Sequence, residues 1–318
     1  MVAAGGAAGA SLWLPGCREP GASQALIAAP ELERAVTRVV PAQPTTDGAG
    51  VKLHRALGQR TLAMLDPFLM LDEFYTDRPE DYVAGFPDHP HRGFETVTYM
   101  VHGAMEHRDS LGNRGRLEPG SVQWMTAGRG IIHSEMPKQH DGLMWGFQLW
   151  VNLPAAQKMN RPRYQDIAPG RVREASLGEA TARVVAGEVG GVRGPVEGVV
   201  TAPLMLDVKV PGGGRARARV PAGHSAFAYV FEGVVQLGGR EGPRVQRGNL
   251  AVLSPGDVVT ATSEQGGRFL LLAAAPIGES VARQGPFVMN TDAEIRQAVD
   301  DYRRGRLVVD GLPDLGVR

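Results

Sequence analysis

The chain is predicted to be all-β: two tandem antiparallel barrels followed by one short helix. Three observations carry this. Its 318 residues include 42 glycines and 23 prolines spread through ordinary sequence, about one residue in five and the mark of many turns between short strands. Between those turns, runs of five to nine residues are rich in β-branched and aromatic side chains. The same order of strands and turns then occurs twice along the chain, which indicates an internal duplication.

In the first half, Phe94 to Val101 is a strand that ends at Gly103. Met105 to Ser110 alternates, and Gly112-Asn113-Arg114-Gly115 supplies a turn. Pro119-Gly120 leads into Ser121 to Met125, and Leu143 to Leu153 closes the unit. In the second half, Leu204 to Val210 is a strand followed by the turn Pro211 to Gly214. The strand Ala226 to Phe231, ending at Glu232-Gly233, mirrors the one ending at Gly103. Thr291 and Glu294 form a capping box ahead of Ile295, Ala298, Val299 and Tyr302, so one amphipathic helix is expected there, packed on the outside of a barrel. The expected organisation is a flexible leader (1–32), a first, metal-binding barrel (33–160), a second barrel without metal (161–290), and the helix and tail (291–318).

Composition narrows the function. With 34 basic and 34 acidic side chains the formal charge is zero, which argues against a mainly electrostatic nucleic-acid binder. Cys17 is the single cysteine, so disulfides and thiolate metal cages are excluded and any metal must use His, Asp and Glu. Leu14-Pro15-Gly16-Cys17 faintly resembles a lipoprotein processing site, but no basic residue precedes it, and a floppy leader is the expectation. The apolar stretch Phe269 to Ile277 is far short of a bilayer span. A soluble, cytoplasmic protein is expected.

The densest chemistry lies between Phe86 and Glu95. Residues i and i+2 of a strand share a face, so His89 and His91 aim two imidazoles at one point. His133-Ser134-Glu135 repeats that spacing 42 residues later. Two facing dyads supply three neutral nitrogens and a carboxylate oxygen, a set suited to a divalent first-row metal such as Fe(II), Mn or Ni and unsuited to Ca(II). His54, His102, His107 and His140 have no partner at this spacing. Of these, His107 is the one whose strand brings it toward the cavity as a hydrogen-bonding neighbour of the ligands. His224 is alone in the second half, and Arg215, Arg217 and Arg219 read as a solvated strand face.

These residues carry a resemblance. HPHRGFETVTY (89–99) and QWMTAGRGIIHSEMP (123–137), supported by LWVNLP (149–154), PRYQDI (162–167) and GPFVMNT (285–291), resemble the signature of the pirin family, bicupins of the cupin superfamily, over residues 35 to 306 or so. The resemblance implies one metal, usually iron, on His89, His91, His133 and Glu135, with Mn, Ni, Co, Cu and Zn as alternatives. The general cupin pattern also has a carboxylate four residues after the H-x-H, which makes Glu95 an alternative ligand or a catalytic base beside Glu135. Phe94, Trp124 and Met125 are candidates for an apolar pocket. By resemblance, the activity is a quercetin 2,3-dioxygenase-type oxygenation of a flavonol or a similar small enol or aromatic, with dioxygen as second substrate. The alternative implied is an iron-dependent, redox-switched regulator that binds a protein partner.

Overall fold

In the computed structural model of the chain, Met1, Ala3, Gly5, Gly6 and residues 31–139 and 141–308 are described. Cys17 with its motif, His140 and residues 309–318 lie outside the described residues. Two large β units are joined through a shared core. The first is a seven-stranded antiparallel sheet with the order Arg163–Ile167, Val122–Thr126, Phe94–His102, Met144–Asn152, Phe68–Thr76, Val51–Leu57, Gln43–Asp47. A four-stranded sheet completes it, ordered Phe86–His91, Ile131–Pro137, Met105–Asp109, Arg114–Leu117. The second is a ten-stranded sheet whose centre is Ser225–Leu237, Gly267–Ala274 and Leu204–Val210. The two-barrel all-β prediction therefore holds.

The central strands of the seven-stranded sheet are buried on both faces, and alternation sorts their side chains. Phe94, Thr96 and Thr98 point one way, while Glu95, Val97 and Tyr99 point the other. The second set, with Trp124, Phe147 and Leu149, packs on Phe227, Tyr229, Phe231, Leu270 and Leu272 of the second sheet. Two buried tyrosines cross this interface in opposite directions. Tyr99 Oη donates to Asp207 at 2.5 Å, and Tyr229 Oη donates to Glu73 at 2.6 Å. Arg268 grips Asp207 and Arg247 reaches Glu73, so each buried carboxylate is paired. Burial and the adjacent carboxylate raise the pKa of both phenols, which stay protonated donors.

The chain ends exchange sides. Val36–Pro41 pairs antiparallel with Asn249–Leu253 of the second sheet. The sequence reading had this segment in the first barrel, because alternation marks a strand without naming its partner; here the partner is the open edge beside Ser225–Leu237. Conversely, the hairpin Ala282–Gln284/Phe287–Met289 and the helix Asp292–Arg303 lie on the first unit. The Val288 amide donates to the Arg92 carbonyl at 3.0 Å, Arg92 Nη1 meets Asp301 at 2.8 Å, and Lys158 Nζ donates to the Val288 carbonyl at 3.1 Å. The helix starts where its capping box predicts: the Thr291 side chain accepts from the Glu294 amide, and Glu294 Oε2 accepts from the Thr291 amide at 2.8 Å. Ile295 and Ala298 form its buried face, whereas Tyr302 is largely exposed.

Candidate metal centre

Phe86–His91 runs antiparallel to Ile131–Pro137, with His89 opposite His133. The turn between His91 and Phe94 demands glycine at position 93. Its φ is +89°, and a Cβ there would meet the Val288 carbonyl. The imidazole centroids lie 4.7 Å (His89–His91), 4.3 Å (His89–His133) and 4.9 Å (His91–His133) apart. One ligand atom from each ring falls within 4.8 Å of the others. Among the described residues no other His, Cys, Asp and Glu group is this compact.

Two tests bear on whether a metal fits. His133 Nε2 and both ring nitrogens of His91 are buried without a hydrogen-bond partner, an arrangement that costs about 1–3 kcal/mol per group unless something takes the lone pair. Burial, then the neighbouring imidazoles, pushes the pKa of His91 and His133 well below the ordinary value, so both stay neutral as ligands must. The other nitrogens are engaged from behind: His89 Nδ1 lies 2.8 Å from the Pro87 carbonyl, and His133 Nδ1 lies 3.3 Å from His107 Nδ1. His107 is buried against His133 and Tyr164, as its strand suggested. The donor set fits a divalent metal.

The two expected carboxylates differ. Glu135 opens on the same cavity as His89 and His91, yet it stands outside the three-histidine group. Its Oε1 accepts from Thr98 Oγ1 at 2.6 Å and its Oε2 from Gln148 Nε2 at 3.1 Å. Between His133 and Glu135 the register slips, placing Glu135 opposite Phe86. Glu95 is a correction. It shares a face with Val97 and Tyr99, turned to the interdomain core, and accepts from Trp124 Nε1 at 3.1 Å and Thr126 Oγ1 at 2.7 Å. Burial raises its pKa against those two hydrogen bonds. It is not among the residues lining the cavity. Trp124 likewise sits in the interdomain core and Met125 in a small cluster with Ala127 and Ile131, so of the three apolar candidates only Phe94 meets the histidines, 5.0 Å from His91.

The cavity has a volume of about 630 Å³. Several lining residues were missed by sequence reasoning. Trp150 packs edge-on to His91 at 5.3 Å and against Phe94 at 4.4 Å. Asp72, buried and raised in pKa by that burial, is gripped by Arg55 through two hydrogen bonds of 2.8 and 2.7 Å. An Asp72-Glu73 pair inside the apolar run Phe68 to Phe74 was a legible signal, since buried charges need partners. Arg283, from the hairpin after the second barrel, had none. Elsewhere, His54 and His102 are exposed, His224 is half-buried without a ligand partner, and Arg215, Arg217 and Arg219 face outward with Glu31 beside the last two. No helix among the described residues is long and apolar enough to cross a membrane.

Comparison with known proteins decides the family. Residues 50–151 match the family model for pirin, and residues 205–308 match that for the pirin C-terminal cupin domain. The chain belongs to the pirin family. A Pseudomonas aeruginosa protein whose name carries a provisional quercetin 2,3-dioxygenase assignment is 49% identical over 87% of this chain and 99% of its own. Human pirin is 40% identical over 85% of this chain and 93% of its own. A crystal structure of quercetin 2,3-dioxygenase from Acinetobacter baumannii superposes with a TM-score of 0.80 at 34% identity, covering 86% of this chain and 98% of that one. This pirin therefore has its histidine triad in the first of two cupin barrels.

Proposed function

We propose that this pirin is a metal-dependent oxygenase of the quercetin 2,3-dioxygenase type, iron being the resident metal, acting on a flavonol or similar small enol or aromatic with dioxygen. The observation that supports it most is the convergence of three imidazoles, two of which, His89 and His91, open on an aromatic-walled cavity. His89, His91 and His133 would hold the ion, with Glu135 as fourth ligand after leaving its Thr98 and Gln148 hydrogen bonds. The bound metal would make a coordinated hydroxyl acidic at neutral pH and leave positions open for oxygen.

The chain's own residues supply the rest. Of the carboxylates lining the cavity, Asp47 and Asp72 are bonded to Arg55, and Glu135, on the strand of His133, is the one that would accept the substrate hydroxyl proton. Thr98 and Gln148 hold it in place and offer that proton a polar route. Trp150 on the cavity wall, backed by Phe94, flanks His91 and offers a planar substrate an apolar surface. Metal-loaded protein mixed with quercetin under oxygen is expected to take up oxygen and release carbon monoxide. Uptake no greater than that of His91→Ala would overturn the proposal.

A further inference from the structure

The cavity wall holds two arginines with different partners. Arg55 is neutralised by Asp72 and by Asp47 at 3.0 Å. Arg283 has no carboxylate partner among the described residues. Its Nη1 donates a long hydrogen bond of 3.3 Å to the Leu69 carbonyl, and Nη2 lies 3.9 Å from Met70 Sδ. Its guanidinium carbon sits 4.6 Å above the Trp150 ring, which also contacts His91 at 5.3 Å and Phe94 at 4.4 Å. One indole thus separates an unpaired guanidinium from the metal-holding rings, and both line one cavity. Burial, then the like charge of Arg55, lowers the pKa of Arg283 against the opposing pull of Asp72 and Asp47, both of which are already bonded to Arg55.

The position is rigid. Arg283 lies in the hairpin Ala282–Gln284/Phe287–Met289, which Lys158 and Arg92 clamp to the first barrel. Contact with the Trp150 ring places the guanidinium on the cavity wall. A guanidinium presented this way matches a carboxylate better than a neutral hydroxyl, because the pairing is charge-assisted and two-pronged.

We infer that Arg283 forms an anion subsite at the cavity mouth, so that the preferred substrate is a phenol or enol bearing a carboxylate about one aromatic ring away from its metal-binding oxygen. This rests on the proposed small-molecule chemistry at the triad and narrows it, since plain flavonols carry no carboxylate. Arg283 is a specificity-determining residue in this reading, and Trp150 is the ring against which the substrate lies.

The test uses metal-loaded full-length protein and calorimetric titration with 3,4-dihydroxybenzoate and its methyl ester, beside metal content by elemental analysis. The acid is expected to bind about ten-fold tighter than the ester. Arg283→Gln should erase that preference with metal content unchanged, and Arg283→Lys should restore part of it. Equal binding of acid and ester, or a preference that survives Arg283→Gln, overturns the subsite and leaves the oxygenase reading standing. Binding of neither compound to fully loaded protein would overturn both.

Discussion

The two barrels present the same three strands in the same register, and the pairs can be compared position by position. On the face turned to the partner barrel, Tyr99, Phe147 and Glu73 of the first sheet correspond to Tyr229, Leu270 and Asp207 of the second. Both sets keep a tyrosine and an acid, and each tyrosine bonds the other barrel's acid. On the inward face, one residue away along each strand, Thr98, Gln148 and Asp72 correspond to Ala228, Leu271 and Leu206. The polar triple backs the histidine cavity, whereas the aliphatic one is part of an apolar cluster of Ala, Val, Leu and Phe. A duplicated barrel can therefore lose its chemistry through one face of a sheet while the other face, which holds the dimer-like interface, stays constrained. Alternation makes the two faces independent.

The largest expected effect tests the functional asymmetry. His133→Ala should lower metal affinity more than about 100-fold, since losing a ligand exceeds the loss of a supporting group, while the half-buried His224→Ala in the second barrel should leave metal content unchanged. Elemental analysis after dialysis measures both. Metal retained by His133→Ala, or lost with His224→Ala, would break the comparison. The conserved face predicts the opposite, near-equal behaviour. Glu73→Ala and Asp207→Ala each strand a buried tyrosine and an arginine, and each should cost about 3–5 kcal/mol in urea melts. A much smaller effect for one of them would mean that the crossed pairs are not equivalent.

A smaller effect concerns how the C-terminal hairpin is held. Lys158 is buried, with its Nζ donating to Gly93 O at 2.7 Å, Asn152 Oδ1 at 2.6 Å and Val288 O at 3.1 Å, and no carboxylate in contact. Burial lowers its pKa to about 8. The folded chain therefore binds fewer protons than the unfolded one between pH 8 and the ordinary lysine range, and stability from this group rises with pH in that window. Relative to Lys158→Met, the native protein should gain about 1 kcal/mol between pH 8 and pH 9. Paired urea melts at the two pH values measure it, and a difference that is flat or falling contradicts the assignment.

How much was legible follows from the same faces. His89, His91 and His133 were readable because dyad spacing on a strand dictates a shared side, and the helix because Thr291 and Glu294 cap it. Glu95 was named from the cupin spacing after the H-x-H, and with Thr96 and Thr98 on one parity of that strand and Glu95 on the other, both faces carry polar side chains, so alternation did not tell which parity looked into the cavity. Arg283 was silent because its partners lie more than 200 residues earlier, at Leu69 and Met70. The strand Val36–Pro41 was placed only by the bounds of the first barrel, and its neighbour depended on which sheet edge remained open. Local pattern specifies elements; pairing across the chain specifies sites.

The exchange of the chain ends bears on how the protein is made. The last hairpin supplies Arg283, Gly285 and Pro286 to one wall of the triad's cavity, so a nascent chain has all three histidines outside the ribosome long before that wall exists. Until residue 289 or so emerges, Lys158 lacks its Val288 acceptor and the Gly93 turn has nothing packed on it. Meanwhile the second barrel's edge at Asn249–Leu253 can be closed only by a strand made at the start of synthesis. All strands of the second sheet exist by residue 274, before the hairpin that completes the first barrel's cavity. A nascent chain therefore carries the triad before its cavity has that wall, and an ion arriving at that stage would meet a more open site than the completed protein offers.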